Sequence, residues 1–143
     1  MNDNDARLTR VYTAVTGSTV QDDIPDQPDA GEAADADFDL FIEAAAGNSV
    51  GSTGIPYTLT ITGINLTKNV VVGAFSSTAH EAFDGPHGWV SSGDDFVKVQ
   101  GITFPSAPGG PSAPNDIYCF YVSLVSQNLQ LASFAVSNLF MLV

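Results

Sequence analysis

Both histidines of the chain fall in one short stretch, His80-Glu81-Ala82-Phe83-Asp84-Gly85-Pro86-His87-Gly88-Trp89, with two carboxylates between them. Imidazole and carboxylate are ligands of zinc and other transition metals, so His80, Glu81, Asp84 and His87 form the candidate metal set. The spacing is not that of H-E-x-x-H, which puts two histidines one helical turn apart. Here Gly-Pro intervenes, and ordinary polar loop residues are the simpler expectation. The same stretch offers a carbohydrate site, because a flat indole face matches a pyranose face; Trp89, with Phe83 beside it, would supply that face. The competing expectation for Trp89 is a lid folded back over a hydrophobic core.

Other combinations carry less. The single cysteine, Cys119, excludes an intrachain disulfide, and its apolar neighbours predict a small buried hydrophobe. A blue-copper site needs a histidine shortly after its cysteine, and FYVSLVSQN follows Cys119 instead. Asp35, Asp37 and Asp39 alternate along the chain but lack the glycine and distal glutamate of an EF-hand loop, so solvated carboxylates at the start of a strand are expected. There is no G-x-S-x-G elbow, and the glycine pairs lack the Lys-Ser/Thr of a phosphate loop. Asn65-Leu66-Thr67 is a formal glycosylation sequon. No cofactor is called for, and no catalytic residue is assigned: the chain reads as a non-enzyme.

Charge says more. Sixteen acidic and four basic residues give a formal net charge of −12 and a pI near 4.1. Residues 20–39 hold eight carboxylates and no cation, whereas residues 44–143 hold only Glu81, Asp84, Asp94, Asp95, Asp116, Lys68 and Lys98. So few cations exclude a nucleic-acid partner and disfavour an anionic membrane surface. No apolar run approaches the ~18–20 residues of a membrane-spanning helix, so membrane insertion is not expected. No signal peptide is visible at MNDNDARLTR, which points to cytoplasmic synthesis, with a place in a particle or an extracellular assembly left open. With 44% hydrophobic residues and a mean hydropathy of +0.13 there is ample material for a core.

The elements that must position these residues read as strands. Leu8–Val15 is strand-like. Residues 20–37 combine repelling charge with prolines and few large apolar groups, which predicts an extended acidic N-terminal arm over 1–37 and an ordered body over 38–143. Phe38, Leu40 and Ile42 alternate with Asp39 and Glu43. Tyr57, Leu59 and Ile61 alternate with three threonines, a half-buried strand with a solvated threonine face. The apolar phase then moves to Ile64 and Leu66, which predicts a bulge or bend at Gly63. Val70–Phe75 is the next strand. Residues 76–93 read as a long loop with one helical turn near Ala79–Phe83. Asp94–Phe104 is a bent or edge strand, the four prolines of residues 105–115 impose a loop, and Ile117–Val125 is apolar on both faces, as a central strand is. Leu131–Val143 places Phe134, Val136, Phe140 and Leu142 on one side, with Ser133, Ala135 and Ser137 on the other.

Six or seven strands without a helical period predict an all-β antiparallel β-sandwich. With Asp116-Ile117-Tyr118 standing where a tyrosine-corner strand would, the pattern resembles immunoglobulin-like or fibronectin-type domains. There is no cysteine pair, and Trp89 lies in a loop and not on the third strand. The resemblance implies architecture and no activity; a jelly roll is the alternative topology. A nearly charge-free body, a strand-tipped arm and a chain that runs apolar to Val143 predict a structural subunit whose partner is other copies of itself, in a homo-oligomer, virion-like particle or filament. Leu8, Val11, Tyr12 and Val15 of the arm would add a strand to a neighbour's sheet, and Phe134, Val136, Phe140 and Leu142 would form the joint.

Overall fold

A computed structural model describes residues 5–26, 37–47, 50, 53–89, 95–103, 114–128 and 130–143. Two antiparallel sheets pack face to face, as the alternation predicts. One contains β1 (Ala6–Ala14), β2 (Asp37–Ala46) and β5 (Asp95–Thr103) in the order β1-β2-β5. The other contains β3 (Pro56–Asn65), β4 (Val70–Ala82), β6 (Ile117–Ser126) and β7 (Leu131–Val136) in the order β4-β3-β6-β7, with the short β8 (Phe140–Met141) also paired to β6. Among the described residues no helix is long and apolar enough to cross a membrane.

The inward residues are those the period of two selects. Phe38, Leu40 and Ile42 of β2 meet Leu59 and Ile61 of β3 and Tyr118, Phe120, Val122 and Leu124 of β6 in one core. Its centre is aromatic. The Phe38 ring lies 5.7 Å from Phe75, edge-on, and 5.4 Å from Phe140, geometries that add to plain area burial.

Gly63 has a mechanical role at this core. The β3–β4 register shifts between Ile61 and Gly63. A Cβ at Gly63 would stand 2.4 Å from the Phe75 Cβ, so only glycine lets Phe75 cross the strand there. The expected irregularity is present, but the burial phase of β3 does not change with it. Gly63 and Asn65 continue inward and Leu66 is exposed, because the extra residues lie on β4: Ile61 pairs with Ser77, whereas Gly63 pairs with Val72.

Two further expectations are corrected. β4 continues through Ala82, where a loop was expected from residue 76, and the one helical turn is a 3-10 turn at Gly85–His87, not at Ala79–Phe83. Thr78 and His80 alternate with Ser77 and Ala79 against β3, and such small polar residues form a strand when a partner strand supplies the hydrogen bonds. Leu131–Val143 is not one strand of constant phase. From Val136↔Tyr121 to Phe140↔Tyr118, the β7–β8 side advances four residues while β6 advances three. This one-residue bulge turns Phe134 and Val136 outward, 61% and 46% exposed, and leaves Phe140 and Leu142 inward at 2% and 0%. Ser137 holds the bulge: its N–H donates to the Phe120 carbonyl, and its Oγ accepts from the Phe120 N–H.

The described N-terminal residues belong to the body. β1 pairs with the chain's own β2 from Ala6↔Ala46 to Ala14↔Asp39, so Leu8 and Val11 are buried in the core. Tyr12 stacks on Phe41 at 5.0 Å on the opposite face, under the Arg10 guanidinium. Residues 15–26 then cross to the C-terminal strand. Thr13 and Asp22 exchange hydrogen bonds, Met141 N–H donates to the Asp23 carbonyl, and Val143 N–H donates to the Asp26 carboxylate. The ordered body therefore begins before Phe38. The acidic stretch 27–36 and most of the proline-rich stretch, 104–113, lie outside the described residues.

Candidate functional site

Loop 83–89 closes one end of the sandwich. Asp84 caps the 3-10 turn by accepting from His87 N–H at 3.1 Å, Gly88 turns the chain at φ 96, and Trp89 N–H returns to the Asp84 carbonyl at 3.1 Å. The indole is thereby folded inward. Trp89 is 2% exposed and Phe83 0%; their rings lie 5.0 Å apart, with Tyr57 4.6 Å from Phe83. Neither offers a face to a sugar, and Trp89 is the lid of the alternative expectation.

A polar chain runs through this lid. Trp89 Nε1 donates to the Tyr57 hydroxyl at 3.0 Å, Tyr57 donates to Glu81 Oε2 at 2.7 Å, and Lys98 of β5 pairs with Glu81 Oε1. Burial, and then the bond to Glu81, push the Tyr57 phenol far above its ordinary pKa, so it stays a proton donor. The chain ties β3, β4, β5 and the lid together, and each polar group is satisfied by the next.

The candidate metal residues are not brought together. His80 points outward from β4, with Nδ1 3.4 Å from Thr58 Oγ1, and Glu81 is engaged by Tyr57 and Lys98. Asp84 and His87 pair with each other at 2.6 Å. Among the described residues no three His, Cys, Asp or Glu side chains converge as a metal site requires. Asp39 accepts from Gly17 N–H, and Asp35 lies outside the described residues. Cys119 is buried, and burial raises its thiol pKa. The sequon residue Asn65 is 0% exposed and donates to Asp116 at 2.8 Å.

Of the eight residues expected to mediate assembly, Leu8, Val11, Tyr12, Phe140 and Leu142 are buried within the chain itself, and Val15 is half-buried. Intrachain pairing of β1 and the bulge in the last strand account for this. Phe134 and Val136 are exposed, and residues missed in the sequence join them. From β7 through the bulge to β8 the outward series is Phe134, Val136, Leu139 (57% exposed) and Met141; along β6 it runs Val125, Ser123, Tyr121 and Ile117, with Cys119 covered at 2% exposure. This stripe crosses the outer face of the five-stranded sheet and is flanked by Thr58, Thr60 and Thr62 of β3. No Asp, Glu, Lys or Arg lies among these outward positions. At one end Asp23, Ile24, Ile117, Leu139, Phe140 and Met141 line a mostly apolar, open hollow of about 350 Å3. The signal for the missed residues was Ser137-Asn138, a polar break that resets the phase. Comparison with protein-family models, curated proteins and solved structures gave no match to this chain.

Proposed function

We propose that the protein is a non-enzymatic structural subunit that self-associates through the outer face of its five-stranded sheet. The observation that carries this reading is the stripe itself. Phe134, Val136, Leu139, Ile117 and Val125, each at least 38% exposed, share one face in a chain of net charge −12; among the described residues no carboxylate interrupts the stripe, and Asp23 stands at its end beside the hollow. The largest exposed apolar patch of a protein is often a contact site, and the centre of a stable interface is depleted of charge and enriched in aromatic residues.

Light scattering after gel filtration tests the reading. The wild-type chain should elute as a defined oligomer. Val136→Asp, which puts a charge at an outward position in the middle of the stripe, should elute as a monomer with a nearly unchanged melting temperature. A wild-type chain that stays monomeric at high concentration overturns the proposal.

A further inference from the structure

We infer that this contact is two-fold, with Phe134 of each copy seated in the apolar hollow of the other; the inference rests on the assembly reading above. Phe134 is a fixed knob. It is 61% exposed and braced by stacking on Tyr121, with 5.5 Å between ring centroids. The hollow at Ile24, Ile117, Leu139 and Met141 is apolar, and its volume of about 350 Å3 accommodates a phenyl ring.

The positions of the two features select the symmetry. Phe134 pairs with Ser123 and Met141 with Ile117, so knob and hollow lie on the same column beside β6, six residues or about 20 Å apart. Consider a two-fold axis lying in the interface and crossing the strands near Tyr121 and Val136. It reverses the strand direction, keeps the lateral position, and carries each Phe134 over the partner's hollow. Both contacts form at once, so the interface is isologous and closes as a dimer instead of propagating as a fibre. The strands of the two facing sheets then run nearly aligned, as in sandwich packing. The stripe is about 27 Å long and, with the flanking threonines of β3, three strands wide, which projects to roughly 400 Å2. Accessible area exceeds the projection of a corrugated face, so the contact falls at the small end of the range around the ~800 Å2 each partner contributes to a standard interface.

Cysteine pairing tests the register, because the one native thiol is buried. Phe134→Cys chains mixed with Leu139→Cys chains under mild oxidation should form a covalent dimer, and neither variant alone should do so. Independently, Phe134→Ala and Leu139→Ala should each weaken self-association about tenfold or more. Combined, they should cost less than the product of the two, since both remove one contact. A covalent dimer from Phe134→Cys alone overturns the proposed register. An oligomer that forms no 134–139 bond, and is indifferent to Phe134→Ala, overturns the knob-and-hollow contact but leaves the assembly reading standing. A wild-type monomer overturns both.

Discussion

Two residues show how burial sets the role of a side chain here. Trp89 was a candidate sugar platform by type, yet it is held by Tyr57 and covered by loop 83–89. Removing it opens a cavity beneath the lid and takes one of two hydrogen-bond partners from the Tyr57 hydroxyl, which keeps Glu81. Trp89→Ala should therefore destabilise the chain by about 3–5 kcal/mol, read as a fall in the urea midpoint at constant slope; a ligand platform would leave that midpoint in place. Asp26 shows the opposite economy. It is 1% exposed and accepts from Val143 N–H, and burial outweighs that bond and raises its pKa. The folded chain thus binds this proton more tightly than the unfolded chain does. The ionised carboxylate costs stability once pH rises through its folded pKa, and the cost is absent below the ordinary carboxylate range. Asp26→Asn should melt higher than wild type near pH 7, and the difference should shrink as pH falls toward about 3. Asp116, whose pKa is lowered first by its bond from Asn65 and then by Lys68, has the opposite pH dependence, which is why the variant must be compared with wild type at each pH.

At the scale of elements, the sandwich is closed along its sides by side chains. β1 and β7 are edges of different sheets, and their gap is bridged where Leu8 N–H donates to Ser133 Oγ at 2.8 Å and Thr13 N–H to Asn138 Oδ1 at 3.0 Å. Asn138 also donates to Thr13 Oγ1 and Asp23 Oδ1, so one carboxamide at the β7–β8 bulge joins β1, the crossing segment and the last strand. On the other side Lys98 and Glu81 link β5 to β4. An edge strand satisfied in this way is not free to template another chain. Asn138→Ala would leave the buried Thr13 N–H without this acceptor, at about 1–3 kcal/mol. Native-state hydrogen exchange should accelerate at Thr13 and Asp22, while the amides of β3 and β6 keep their protection.

At the scale of the whole molecule, acidity and apolar surface are segregated among the described residues. The stripe has no ionised group along it, and Asp22, Asp23 and Asp26 lie on the crossing segment at one end. In the proposed assembly, two chains of −12 would repel as bodies and attract through the stripe. Raising sodium chloride from about 50 to 500 mM shortens the screening length from ~14 to ~4 Å and should strengthen self-association; sedimentation equilibrium would read this as a lower dissociation constant. An interface built on interchain ion pairs would weaken instead.

The period-two alternation in residues 38–45 and 57–62 determined those strands and their core face, and with the apolar run 117–125 the all-β class, because burial of every second side chain needs only local pattern and a partner sheet. The glycine at 63 announced an irregularity for the same local reason. What the sequence left open depended on contacts between residues far apart. Ser76 to Ala82 forms a strand because β3 pairs with it; its small polar residues carry no hydrophobic signal of their own. Val11 and Tyr12 look like a sticky edge in isolation, and only the register with β2 shows them already covered. Phe134 and Phe140 share a phase on paper, yet a one-residue bulge held by Ser137 sends one to the surface and the other to the core. A period of two reverses with every inserted residue, so the surface this chain presents was settled by the bulge and not by the composition of its last strand.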